Sequence, residues 1–118
     1  MLKSEIDGAV ITDCDLNYVG SLTLDSELMS AARIAEFELV AVANLSTGAR
    51  FETYAMRGAP GSGTVQLNGA AARLGHVGDS VNVYTFAELS AEEASSATPA
   101  FVRVTEHNQR VAGAEGSG

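Results

Sequence analysis

The chain has 118 residues, 15 of them acidic and 7 basic, for a formal charge of -8; that argues against a nucleic-acid or anionic-membrane surface, because too few cations are present to neutralise phosphates. The length supports one domain with one core, and the lone cysteine, Cys14, rules out an intrachain disulfide or a multi-cysteine zinc site and fits a reducing, cytoplasmic compartment. No stretch reaches the roughly 18 consecutive apolar residues of a membrane helix, and the acidic start MLKSEIDG lacks signal-peptide character.

In chain order, AVITDC (9–14) and VGSLTL (19–24) read as strands. Residues 25–36 change period: Leu28, Met29, Ala32 and Ile34 fall near helical spacing, Asp25 is placed to cap the first amides, and Glu27 suits the positive end of a helix. FELVAVANL (37–45) and ARFETYAMR (49–57) flank Ser46-Thr47-Gly48, so they read as a hairpin whose glycine takes positive φ.

GAPGSG (58–63) reads as a flexible loop, since no helix with a basic residue follows it to make a phosphate cradle. TVQL (64–67) is a strand running into an Asn68-Gly69 bend and one helical turn in AAARLG. SVNVYTF (80–86) is a further strand, Ser90 and Glu93 have capping-box spacing for a second short helix, and AFVRVTE (100–106) is the last strand. The reading is a single mainly-β domain over 1–106 followed by a flexible tail, 107–118.

His76 and His107 fall in turns without metal-site spacing, and no serine has a well-placed histidine for a triad. What stands out is Gly20-Ser21, a pair that packs little in the middle of an alternating strand pattern. Either the pair marks a bulge or bend, or its peptide bond is itself a reactant.

DLNYVGSLTLD (15–25), GARFETYA (48–55), NGAAA (68–72) and HVGDSVNV (76–83) together resemble the pyruvoyl-dependent aspartate 1-decarboxylases, enzymes that convert L-aspartate to β-alanine and CO2 and so supply pantothenate and coenzyme A synthesis. The resemblance implies a small six-stranded double-psi β-barrel with short helices, and a homotetramer with active sites between subunits. It also implies a proenzyme that cuts itself into 1–20 and 21–118, a covalent pyruvoyl group made from Ser21, and no metal. Processing would involve Gly20, Ser21, Thr53 and Asn68: the Ser21 hydroxyl attacks the Gly20 carbonyl carbon, and the resulting ester is eliminated. A glycine at position 20 would permit a strained or positive-φ backbone there.

In the mature enzyme Ser21 would carry the electron sink and Tyr54 would return a proton to the carbon that lost CO2. Arg50 would anchor a carboxylate through its guanidinium fork, with Thr53, Gly69, Ala70, Ala71, Tyr18 and the position of Glu5 completing the substrate contacts. Strand alternation sets Arg50, Glu52 and Tyr54 on one face and Phe51, Thr53 and Ala55 on the other. Thr53 and Tyr54 therefore share one site only through a twist, a bulge or a subunit boundary.

One departure is chemical. Glu5 and Asp7 stand where the family usually has a lysine and a histidine, and an acidic group there would repel aspartate. Three resolutions are open: Lys3 replaces the charge through a register shift of two, Arg50 partners Glu5, or the substrate is another amino acid with a neutral or cationic side chain. A different class of function, a non-processing barrel serving as an interaction module, is the remaining alternative.

Overall fold

The computed structural model describes residues 1–111. These form β1 (Leu2–Val10), β2 (Asp13–Asp15), β3 (Ser21–Asp25), α1 (Ser26–Ala31), β4 (Leu39–Asn44), β5 (Arg50–Gly58), β6 (Val65–Asn68), a 3-10 turn (Gly69–Leu74), β7 (Ser80–Phe86), α2 (Ala91–Ser96) and β8 (Ala100–Arg103). The strands make one mixed sheet in the order β2-β6-β3-β5-β4-β7-β1-β8, eight strands where six were expected. β3 lies inside it, antiparallel to β6 and parallel to β5.

Alternation builds the core. Leu22 and Leu24 of β3, Val40 and Val42 of β4, and Val81 and Val83 of β7 all point inward and are fully or almost fully buried, with Leu28 and Met29 of α1 joining the same cluster. Such burial is the main source of stability for a chain this short.

The polar start, which local patterning does not mark as a strand, is β1; its inward positions, Ser4, Ile6 and Ala9, do not keep period two. Register shifts between Leu2 and Ser4 and between Ile6 and Ala9 interrupt the pairing with β7. Gly8, at φ 78°, takes the second irregularity and donates its N–H to Asn82 Oδ1 at 2.9 Å. The strand expected over 9–14 is instead broken at Ile11 and Thr12, whose amides bond Asp79 O and Val65 O.

Asp25 caps α1 as expected, accepting from the Glu27 amide at 2.9 Å. The helix is shorter than the 25–36 expected because Arg33 takes φ 58°, the left-handed conformation that ends helices, and Ile34 N–H bonds back to Met29 O at 2.8 Å. The buried carboxylate of Asp25 also accepts from Gly61 N at 3.0 Å and Gly63 N at 2.9 Å. The GSG segment is thus held by an internal carboxylate.

Ser90 and Glu93 form the expected capping box, and the hairpin of β4 and β5 turns through Gly48 at φ 83°. Order continues past residue 106, against the expected boundary. Asn108 is 1% exposed; its Oδ1 accepts from Val10 N at 2.7 Å, and its Nδ2 donates to Val10 O and Gly63 O, each at 2.8 Å. Val104 and Arg110 bridge around it, whereas 112–118 lie outside the described residues. Among those described, no helix is long and apolar enough to cross a membrane.

Asn108 thereby ties distant backbone segments together with one side chain. Asn108→Ala should lower unfolding free energy by about 2–3 kcal/mol, read as a reduced urea midpoint at unchanged slope.

Candidate active site

The Gly20-Ser21 pair sits at the mouth of β3, and not within the strand as the sequence pattern suggested. β3 begins at Ser21, and Leu16, Tyr18 and Val19 before it are exposed in an irregular segment turned by Asp15, whose Oδ1 accepts from Asn17 N at 3.0 Å. At Ser21 the chain plunges inward: the residue is 0% exposed.

Two hydrogen bonds aim its hydroxyl. Ser21 Oγ donates to Val19 O at 2.9 Å, closing a ring that spans the Gly20-Ser21 peptide bond, and Asn68 Nδ2 donates to Ser21 Oγ at 3.0 Å. A hydroxyl oxygen has one proton and two lone pairs, so this arrangement leaves one lone pair uncommitted beside the bond it spans. Asn68 is itself 0% exposed and is the cross-strand partner of Ser21 on β6.

Gly69 supplies the close approach. At φ 62° it presses on the chain opposite, so that a Cβ built there would lie 2.7 Å from Gly20 Cα and N and 2.8 Å from Tyr18 O. Gly20 has no positive φ, and a Cβ on it would meet nothing within 4 Å. The positive φ that a glycine at position 20 would permit is not used there; the glycine required by conformation and space is Gly69.

The remaining predicted residues divide. Leu22 pairs with Ala55, so one residue earlier along each strand Tyr54 falls level with Ser21, while Thr53 lies on the opposite face of β5, before the start of the β3 pairing. β5 keeps an unshifted register with β4 from Arg50 to Tyr54, so the two faces stay distinct. Tyr54 is half-buried with its ring 6.4 Å from Phe37, tilted by 50°. Ala71 is buried in the core, Ala70 is exposed, and the Tyr18 side chain is 51% exposed, so the part of Tyr18 that meets the site is its backbone carbonyl.

Arg50 and Glu5 do not reach Ser21 within one chain. Arg50 is exposed, four positions along β5 from Tyr54, about 13 Å at strand spacing. Glu5, on β1, is four strands from β3 in sheet order. Its cross-strand neighbour is Tyr84, which pairs with Ala41, which pairs with Glu52, so Arg50 is not its partner. Lys3 is engaged elsewhere, 2.6 Å from Glu38 and 2.7 Å from Arg33 O, which removes the register-shift rescue. Burial, and then the neighbouring Asp7, push the Glu5 carboxyl above its ordinary value.

Gln66 and Thr23 were missed. Gln66 Nε2 donates to Asn68 Oδ1 at 2.8 Å, and Asn68 Nδ2 also donates to Thr23 Oγ1 at 2.9 Å. The signal was present: alternation along TVQLN and GSLTL puts Gln66 with Asn68, and Ser21 with Thr23, on shared faces.

Fold and site together define a small mainly-β protein that holds a buried serine hydroxyl across its own preceding peptide bond. Similarity to known proteins narrows that class. An aspartate decarboxylase family model matches residues 1–111. The aspartate 1-decarboxylase of Clostridium acetobutylicum is 50% identical over 108 residues, covering 92% of this chain and 85% of the relative. That of Caldicellulosiruptor saccharolyticus is 50% identical over 111 residues, 94% and 87% respectively, and that of Lactiplantibacillus plantarum 47% over 109 residues, 92% and 84%. The chain belongs to the aspartate decarboxylase family, with its double-psi β-barrel and its pyruvoyl-dependent carboxy-lyase activity forming β-alanine. The interaction-module alternative falls with that assignment.

Because Gly69 fills its space against Gly20, Gly69→Ala should shift the loop that carries the Gly20-Ser21 bond. The expected result is a fall of about 2 kcal/mol or more in stability, together with slowed appearance of the 21–118 fragment in denaturing mass spectrometry.

Proposed function

We propose that this chain cuts its own Gly20-Ser21 bond and uses the new terminus at residue 21 to decarboxylate aspartate at sites shared between subunits of a homotetramer. The observation that carries this reading is the Ser21 hydroxyl, buried and tied to Val19 O across the bond to be broken. Attack by Oγ on the Gly20 carbonyl carbon converts the amide to an ester, with the hydroxyl proton passing to the released nitrogen. Elimination at Ser21 then frees the Gly20 carboxylate and leaves a dehydroalanine, which takes up water and releases ammonia to give the pyruvoyl terminus.

The residues around position 21 fit a pyruvoyl group. Position 21 is closed to solvent, and once Oγ has left on the Gly20 carboxylate the Asn68 Nδ2 that donated to it is left as a free donor beside the new group. β3 stays clamped between β5 and β6 after cleavage, and segment 1–20 stays in the sheet through β1 with β7 and β8 and through β2 with β6. A pyruvoyl carbonyl supplies an electron sink for the pair left behind by CO2.

The chain's own side chains do the rest. Tyr54, level with Ser21, donates the proton to the reacting carbon. Thr53, on the opposite face of β5 from Tyr54, serves the acyl shift from the barrel side. Arg50 holds a carboxylate bidentately at a site completed by a neighbouring subunit, since within one chain it stands away from Ser21. Exposed Phe37, Leu39 and Phe86, with Leu39 the cross-strand neighbour of Tyr54, offer the apolar surface such a subunit contact needs.

A second reading, a substrate with a neutral or cationic side chain, is favoured by Glu5 and Asp7: burial first, and Asp7 second, raise the Glu5 pKa, and Asp7 has a basic neighbour in Arg103 at 3.7 Å.

Denaturing mass spectrometry should give two fragments from the native sequence, the larger lacking a free amine, and one intact chain from Ser21→Ala. Tyr54→Phe should still be cut but lose about 100-fold or more in kcat, on the scale of a lost general acid; an intact, active native chain would sink the proposal. If Glu5 opposes aspartate, Glu5→Lys should raise kcat/KM for aspartate about tenfold or more and lower it for 2,4-diaminobutyrate. Unchanged values for both would eliminate the second reading.

A further inference from the structure

We infer that Gln66 is a positioning residue for chain cleavage: it fixes which end of the Asn68 amide faces the Ser21 hydroxyl. The inference rests on the proposal that Gly20-Ser21 is the bond cut, and concerns a residue that the family resemblance did not single out.

An asparagine amide has two ends of nearly equal shape and opposite hydrogen-bonding character. In this site both ends are committed. Oδ1 accepts from Gln66 Nε2 at 2.8 Å, and the two N–H bonds of Nδ2 go to Ser21 Oγ at 3.0 Å and Thr23 Oγ1 at 2.9 Å. Ser21 and Thr23 are hydroxyls, able to donate or accept, so they are compatible with either end of Asn68. Gln66 is an amide too, so the pair is set jointly: with its Nε2 facing Asn68, Oδ1 is the end that answers, and an acceptor-only side chain at position 66 would demand the other.

The selection matters to the chemistry at Oγ. With Nδ2 toward Ser21, the hydroxyl proton is directed to Val19 O and one lone pair stays uncommitted. In the inverted orientation Oδ1 would face Ser21 and draw that proton to itself. During the acyl shift the bond from Oγ to the Gly20 carbon forms as the bond from that carbon to the Ser21 nitrogen breaks, and the hydroxyl proton ends on the nitrogen. In the elimination the Ser21 Cα proton is lost, the bond from Cβ to Oγ breaks, and Oγ leaves on the Gly20 carboxylate. An N–H aimed at Oγ stabilises that departing oxygen; a carbonyl aimed at it opposes departure.

Gln66→Glu separates orientation from packing, because it keeps shape and changes only the hydrogen-bonding choice. Ionised, the introduced carboxylate accepts only and selects the inverted Asn68; protonated, it donates an O–H to Oδ1 and restores the native arrangement. The charged groups facing position 66 are Asp13, its cross-strand neighbour on β2, and Asp15 two residues on; Thr23 faces it from β3, where the Asp25 carboxylate is occupied by backbone amides. These aspartates titrate in the native sequence as well, so rates are read as the ratio of variant to native at each pH.

Precursors made by brief cell-free synthesis would be followed by denaturing mass spectrometry between about pH 5 and 8, the span over which a part-buried carboxyl exchanges its proton. Gln66→Glu should cleave on the order of tenfold slower than the native chain at the alkaline end, with the ratio returning toward one as the introduced carboxyl protonates. Gln66→Met, which neither donates nor selects, should be slowed at every pH, and far-UV circular dichroism should match the native chain for both. A ratio near one at the alkaline end, or a deficit in Gln66→Glu that does not recover at low pH, overturns the inference. Should Gln66→Glu not fold, Gln66→Met decides alone: slowed cleavage in a folded precursor supports the role, and the native rate overturns it. Absence of cleavage in the native precursor instead overturns the self-processing reading beneath it, a result distinct from any variant effect.

Discussion

A serine hydroxyl can break the peptide bond before it only if it is held over that bond while the rest of the backbone stays put. Here the hold comes from the junction of three elements. The β3 strand is fixed on one edge by β6 and on the other by β5, from Leu22 onward. The 3-10 turn presses Gly69 onto Gly20, and the Asn68 side chain bridges the gap to Ser21. The regular sheet begins at the residue proposed to react, so the bond proposed to break lies at the end of the β3 ladder and the pairs from Leu22 onward do not depend on it.

Burial makes those few hydrogen bonds strong constraints. Ser21 and Asn68 have no exposed surface, and a polar group without water must find its partners in the protein. Swinging the hydroxyl or the amide away would leave orphans, so the network resists rearrangement. At its outer end Gln66 is only partly buried. Replacement there perturbs direction more than packing.

Much of this was legible in the sequence. The hairpin through Gly48, the cap at Asp25 and the box at Ser90 and Glu93 follow from local chemistry, which needs no knowledge of distant contacts. What failed was decided at long range. MLKSEIDG hides a strand because its bulges break the alternation and its pairing partners, β7 and β8, lie far along the chain. The boundary at residue 106 falls too early because Asn108 is polar and looks solvated, yet it is buried by contacts with Val10 and Gly63. Gly20 drew attention to strain that the structure places at Gly69, since only the folded chain brings the two together.

The acidic pair on β1 links the fold to the charge of the substrate. Glu5 binds its proton more tightly in the folded chain than in the unfolded one, through burial first and Asp7 second. The sign follows: this group favours folding at acid pH, while it is protonated, and that contribution is lost as pH rises through its elevated folded value. β1 therefore carries an acidic group in a setting that resists its charge, with Tyr84 and Phe101 as its cross-strand neighbours. Lys3 cannot relieve it, being committed to Glu38. A cation brought from outside the chain would relieve it, whether a neighbouring subunit's guanidinium or the ammonium of a bound amino acid. On the first account the acidic pair strengthens assembly and leaves aspartate as substrate; on the second it selects the substrate's side chain. The two differ in a measurable way, since an intersubunit pair is present before substrate arrives and a substrate pair is not.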